Sequence, residues 1–251
     1  MLPDLIFPDW PAPEHVKALQ TTRKGGVSQP PYASFNLGLH TGDAPKAVLA
    51  NRAKLITCLP NAPVWLEQVH GTDVLFLAGQ TFSRPPTADA VVCRVPGQVC
   101  GIMTADCLPV LFCDLAGSIV AAAHAGWRGL AAGVLEKTLQ AMQTDPANIL
   151  AWLGPAIGKA AFEVGDEVRS AFLAANPEAA RAFFPLTVAG KYHADLYALA
   201  RQRLNAAGVS HIFGGQYCTF SEPERFFSYR RDGATGRMAS LIWFNEERDS
   251  S

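Results

Sequence analysis

The sequence predicts a mixed α+β sandwich. Short β-rich runs follow one another between residues 64 and 123, and the helical patterns lie outside that block. A doubly wound Rossmann sheet would instead alternate strand and helix along the chain. With 251 residues, 49% of them hydrophobic, there is enough apolar material for a large core, read here as one domain over 1–251.

The first clear element is a helix over 44–59, where Val48, Leu49, Leu55, Ile56 and Leu59 recur at helical spacing before Pro60 stops it. Strands are expected over 64–69, 74–77, 88–93, 99–104, 108–113 and 119–123, punctuated by Gly, Pro and Asp. A helix over 129–142 follows, then a strand over 149–153 and helices over 165–175 and 194–206, the last capped by Gly208. Strands over 210–213, 226–229 and 239–244 close the order. No repeat of solenoid period is present, and Pro30-Pro31 and Pro85-Pro86 read as local loops.

Charge and cysteine usage narrow the function classes. Lys and Arg total 21 against 22 for Asp and Glu, so the chain lacks the net positive field of a nucleic-acid binder. The stretch 118–135 is interrupted by His124, Trp127 and Arg128, so no membrane span is expected. Residues 1–10 have neither a basic start nor a continuous apolar run, which argues against an export signal and for a cytoplasmic protein. The cysteines Cys58, Cys93, Cys100, Cys107, Cys113 and Cys218 show no CxxC spacing and read as free thiols, most of them small core residues.

Three segments carry chemistry. Thr104-Ala105-Asp106-Cys107 sets an acid and a thiol between two apolar strands. His124-Ala125-Gly126-Trp127-Arg128-Gly129 ends a run of small and β-branched residues at a strand-to-helix turn, where backbone N–H groups can face anions. Leu66-Glu67-Gln68-Val69-His70-Gly71 presents a histidine beside a glycine. His70, Cys107 and His124 together would suit one zinc ion (Zn2+) with its fourth position open. A histidine at a strand end is more often an ordinary hydrogen-bonded residue, so spacing alone is a weak signal for the metal.

These segments, taken with Thr22-Arg23-Lys24-Gly25-Gly26-Val27-Ser28, Ser34-Phe35-Asn36-Leu37-Gly38, Leu153-Gly154-Pro155-Ala156-Ile157-Gly158, Phe162-Glu163-Val164-Gly165 and the run from Phe227 to Arg237, resemble the YfiH/PgeF-type family. Its members are described by turns as polyphenol oxidase laccase, purine nucleoside phosphorylase and peptidoglycan-editing factor. The resemblance spans nearly the whole chain. It implies an α/β/β/α sandwich with mixed sheets, and zinc ligands at His70, Cys107 and His124. It also implies phosphorolysis of adenosine, inosine, guanosine and methylthioadenosine, with hydrolytic deamination of adenosine at the same site. Purine nucleosides and phosphate would be the partners of a monomer or homodimer.

For that chemistry Arg23, Arg128 and Arg230 are candidates for phosphate or ribose contact, because a guanidinium fork suits oxyanions. Each also suits a solvated surface or an ion pair. Asn36 and Gln68 would read ribose hydroxyls or base edges, or else satisfy buried backbone. Asp106 is the nearest candidate acid or base in sequence, and alternatively orients a ligand or braces a turn. Trp127, Phe35 and Tyr229 suit base stacking or core packing.

Two other enzyme readings stay open. In one, Cys107 is a nucleophile with His124 as base, oriented by Asp106 or Asn36, and cleaves an amide in a peptidoglycan precursor. In the other, copper (Cu2+) occupies the same ligands and oxidises phenols. A multicopper oxidase needs many imidazoles in His-x-His groupings, whereas this chain has 6 His and none so grouped, His15, His40, His193 and His211 being isolated. A purely structural metal would require a fourth ligand that none of these motifs contains.

Overall fold

A computed structural model describes residues 3–246. The elements run β1 (Leu5–Ile6), β2 (Val16–Thr21), α1 (Pro45–Ile56), β3 (Val74–Leu77), β4 (Ala90–Cys93), β5 (Cys100–Thr104), β6 (Leu108–Asp114), β7 (Val120–Ala125), α2 (Trp127–Ala132) and α3 (Val134–Met142). They continue with β8 (Ile149–Leu153), β9 (Glu163–Gly165), α4 (Asp166–Ala175), β10 (Phe183–Pro185), β11 (Lys191–Ala194), α5 (Leu196–Ala206), β12 (His211–Gly214), α6 (Tyr229–Asp232) and β13 (Met238–Phe244).

A six-stranded mixed sheet, β12-β8-β6-β7-β4-β3, packs on a four-stranded antiparallel sheet, β1-β2-β13-β5. Val91, Leu111, Val120, Leu150 and Trp152 of the first meet Val16, Ile102, Ile242 and Phe244 of the second. The other face of the six-stranded sheet buries Val92, Val110, Phe112 and Ala121 against Leu130, Leu135, Phe172 and Leu199 from α2, α3, α4 and α5. The other face of the four-stranded sheet covers Leu19, Met103 and Leu241 with Leu55 of α1 and with Phe35 and Leu37. These layers are the α/β/β/α sandwich expected. Among the described residues no helix is long and apolar enough to cross a membrane.

Several expected elements change form. The run 64–69 makes only single bridges, Val64 to Cys100 and Glu67 to Thr87. There the Gln68 amide donates to Met103 O and accepts from Met103 N, both at 2.8 Å, so a side chain takes the place of a backbone ladder. The helix expected over 129–142 is two helices, because Gly133 adopts φ 97° and ends α2. Residues 226–229 are not a strand: Phe226 and Phe227 pack in the core, and Ser228 Oγ accepts from Arg231 N at 3.2 Å to cap α6.

Strands β1 and β2 were not expected. Gln20 and Thr21 are buried in β2, and Ser240 Oγ donates to Gln20 Oε1, so polar residues pair where an interior strand normally shows apolar ones. The small sheet β10-β11-β9 is made of strands too short for a periodic signal.

Candidate metal centre

The three expected ligands converge at one end of the inter-sheet core. Along β7, Ala121, Ala123 and Ala125 face the helices while Val120 and Ala122 face the second sheet, and alternation puts His124 on that inner side. Cys107 directly precedes β6, whose Pro109 pairs with His124. His70 stands in the loop before β3 with φ 60°, a left-handed conformation that costs a side-chain-bearing residue energy and concentrates at functional sites.

The ligand atoms of His70, Cys107 and His124 all lie within 4.8 Å of one another. His70 Nε2 is 3.8 Å from Cys107 Sγ, and the two imidazole rings meet edge to face with centroids 4.8 Å apart. Two imidazole nitrogens and a thiolate form a donor set that can hold a metal ion, with no fourth His, Cys, Asp or Glu in the group among the described residues.

Asp89, fully buried at the start of β4, ties the cluster together. Its Oδ1 accepts from His124 Nδ1 at 2.8 Å and from His70 N at 2.9 Å. Its Oδ2 accepts from Gly71 N at 2.6 Å and Val69 N at 3.1 Å. The bond to Nδ1 fixes the His124 tautomer and leaves Nε2 for the cluster, as carboxylates do behind metal-binding histidines. The bonds to the loop hold the strained His70 backbone in place. Burial pushes the Asp89 carboxyl up, but the His124 hydrogen bond and the Gly71 and Val69 N–H groups outweigh it and keep the group ionised.

The same electrostatics reach the ligands. Burial raises the Cys107 thiol, yet the His124 and His70 imidazoles outweigh it and bring it down to about 6. Burial lowers the His124 imidazole, while Cys107 and Asp89 lift it to about 9. The thiolate and carboxylate thus draw positive charge into the cluster, a proton or a metal ion alike. Gly126 leaves room for this: a Cβ there would stand 2.9 Å from His70 Cδ2 and 3.0 Å from Cys107 Sγ.

A family model described as multi-copper polyphenol oxidoreductase laccase matches residues 17–245. The chain belongs to that family. It is 60% identical over 241 residues to the Escherichia coli (strain K12) protein named purine nucleoside phosphorylase YfiH, covering 95% of this chain and 98% of the relative. The Pseudomonas aeruginosa protein named purine nucleoside phosphorylase PA4543 is 56% identical, with 96% and 98% covered. Among solved structures, Neisseria meningitidis protein NMB0706 superposes with a TM-score of 0.92 at 54% identity, over 96% of this chain and 99% of that one. YlmD from Geobacillus stearothermophilus gives 0.86 at 36% identity, over 93% of each chain. The family description speaks of several coppers, but one group of metal-holding geometry occurs among the described residues of this member.

The other expected site residues divide by what already occupies them. Asn36 is fully buried; its Nδ2 donates to Thr41 Oγ1 at 2.9 Å and Asp43 Oδ2 at 3.0 Å, and its Oδ1 accepts from Gly38 N and Arg237 N at 2.9 Å. Gln68 is spent on Met103. Arg23 donates to Ala33 O at 3.0 Å and Pro223 O at 2.9 Å, and stacks on Phe227. Arg128 is exposed over the Trp127 ring, and Arg230, also exposed, donates to Glu163 O at 2.9 Å.

Asp106 takes φ 84° beside Cys107. Its Oδ1 accepts from Thr219 Oγ1 at 2.6 Å and its Oδ2 from Arg230 N at 2.7 Å. Both carboxylate oxygens brace the 219–230 region, the turn-bracing alternative. Phe35 is core. Sequence reasoning missed Asp89, the group that orients His124. The signal lay in strand pairing: Ala90 faces Ala123, so Asp89 is the cross-strand neighbour of His124, whose N–H donates to Asp89 O at 2.7 Å.

Proposed function

We propose that the chain is a zinc-dependent purine nucleoside phosphorylase acting on adenosine, inosine, guanosine and methylthioadenosine, and that the same site deaminates adenosine. The observation that carries this reading is the His70, Cys107 and His124 cluster, found in a chain whose relatives from several bacteria are named purine nucleoside phosphorylases. When bound, zinc supplies Lewis acidity at that point.

In phosphorolysis a phosphate oxygen forms a bond to C1′ of the ribose while the bond from C1′ to the base nitrogen breaks. The electron pair leaves with the purine, which takes up the proton that phosphate brought, giving ribose 1-phosphate and free base. In deamination the oxygen of water replaces the amino group at C6 and ammonia departs. His70, Cys107 and His124 hold the metal in this reading, and Asp89 holds the two histidines. Asp106 acts as a positioning residue, keeping Arg230 at the rim. Arg128 and Arg230 are the exposed guanidinium groups that can meet an incoming anion. Trp127 and Tyr229 offer rings to the base. The enzyme works in the cytoplasm on small molecules, as monomer or homodimer.

A second reading has one observation in its favour: Asp89, His124 and Cys107 stand in the order carboxylate, imidazole, thiol, with the thiol drawn down to about 6. That arrangement suits an amide hydrolase with a thiolate nucleophile. Asp89 takes the orienting place for which Asp106 and Asn36 were candidates. Metal content separates the two readings, because a metal-held thiolate is a poor nucleophile.

The deciding experiment incubates protein of measured zinc content with adenosine, with and without phosphate, and follows adenine and inosine by chromatography. Adenine that forms only with phosphate, and inosine in either case, is the expected result. Release of neither product by zinc-replete protein overturns the proposal.

A further inference from the structure

Arg237 lies one residue before β13, and the register that pairs Met238 with Thr104 sets it alongside the turn holding Asp106 and Cys107. Its backbone is pinned, with its N–H donated to Asn36 Oδ1 at 2.9 Å and its carbonyl accepting from Leu37 N at 3.1 Å. Its Cβ and Cγ lie against Gly38, where a Cβ would come within 2.9 Å of Arg237 Cγ. The fully bonded Asn36 knot thus aims this side chain.

The guanidinium is only partly used. Nη1 donates to Thr235 O and Gly236 O at 3.1 Å each, while Nε and Nη2 have no partner among the described residues. No carboxylate there pairs with it, unlike Arg203 on Glu136 or Arg225 on Glu222. Asp106 is near enough to be felt, but its oxygens belong to Thr219 and Arg230. Burial lowers the pKa of Arg237, and the charges of Cys107 and Asp106 raise it, so the group stays cationic beside the cluster.

Two buried hydroxyls belong to neighbours in the fold, Thr104 opposite Met238 in the sheet and Thr235, whose carbonyl accepts from Arg237. Thr104 Oγ1 and Thr235 Oγ1 are buried, each residue 2% exposed, and neither hydroxyl has a hydrogen-bond partner among the described residues. The other side-chain atoms in that condition, Glu136 Oε2 and Arg203 Nε, belong to one ion pair and so have an explanation. A half-buried cation with two unused donors and no counter-charge is a costly arrangement unless an anion completes it.

We infer that Arg237 holds the phosphate of the phosphorolysis reaction, offering Nε and Nη2 as a two-pronged donor to its oxygens. This rests on the phosphorylase reading above. It moves the anion-holding role from Arg23, whose Nε and Nη1 are spent on carbonyls, to a residue whose Nε and Nη2 remain as an adjacent pair. Fixed against two oxygens, the dianion presents a third to C1′, and the negative charge is neutralised until the new bond from oxygen to carbon forms.

Two measurements test it. In the first, Arg237→Ala and Arg237→Lys are compared with wild type for phosphate and nucleoside dependence and for zinc content. The KM for phosphate rises by about tenfold or more in Arg237→Ala and by less in Arg237→Lys, while the KM for inosine and the zinc content stay near wild type. In the second, wild-type protein is treated with phenylglyoxal with and without inorganic phosphate, and modification of each arginine is read by peptide mass spectrometry. Phosphate protects Arg237.

An unchanged phosphate KM in either folded variant, or Arg237 modified equally with and without saturating phosphate, overturns the inference. Should wild type release no purine base with phosphate, the phosphorylase reading fails by itself. The protection measurement needs no turnover and no variant, so it still decides whether Arg237 binds the anion.

Discussion

Two buried polar regions of this protein look equally functional as sequence and differ completely as structure. Around Asn36 and Asn51, every amide group is used: Asn51 Nδ2 donates to Ser28 Oγ, Ser34 O and Asn36 O at 3.0, 3.1 and 2.9 Å, and its Oδ1 accepts from Val27 N at 2.9 Å. Around His70, Cys107 and His124, the Asp89 brace is fully bonded but three donor atoms facing one another are not used up. The first region is framework, and the second is a group that can hold a metal ion. What separates them is spare bonding capacity at the centre, not burial or polarity.

The sharpest way to break that contrast is to remove a ligand. His70→Ala, Cys107→Ala and His124→Ala should each fall to background in both bound zinc and nucleoside turnover, measured by metal analysis and product chromatography on the folded protein. A Cys107→Ala protein that keeps its zinc and its rate would mean that the cluster is not the metal site. Next in size is Asp89→Asn, which keeps the shape but weakens the brace. Zinc affinity, titrated against a chelator, should fall by about 10- to 100-fold.

Gly126→Ala asks for space that is not there, with His70 at 2.9 Å and Cys107 at 3.0 Å from the added carbon. It should weaken zinc affinity by about tenfold while moving the melting temperature little, since the ligands yield before the core does. The smallest functional effect belongs to the framework. Asn51→Ala should lower stability by about 1–3 kcal/mol in denaturant titration, through the acceptors and donors it strands, and leave zinc per folded molecule unchanged. Loss of zinc without loss of stability in that variant would erase the distinction.

Much of this was legible beforehand for identifiable reasons. The central strands read clearly because their residues are apolar and branched, as in Val91-Val92 and Val110-Leu111-Phe112. The three candidate ligands stood out because each borders an apolar run that reads as a strand. Asp89 did not, since an aspartate inside the strand expected over 88–93 shows no partner until Ala90 is known to face Ala123. Gln68 carried two readings, substrate contact or backbone satisfaction, and its amide is bonded to the Met103 backbone, while β2 was hidden by its own buried Gln20 and Thr21. Long-range pairing made these differences, and pairing is what local pattern cannot carry.

The Asp89 carboxylate reaches the ring of one histidine and the main chain of the other, so a single group that is not itself one of the three ligands sets the separation of both imidazoles. One brace thus spaces two donors at once, and whatever moves that carboxylate moves both imidazoles together.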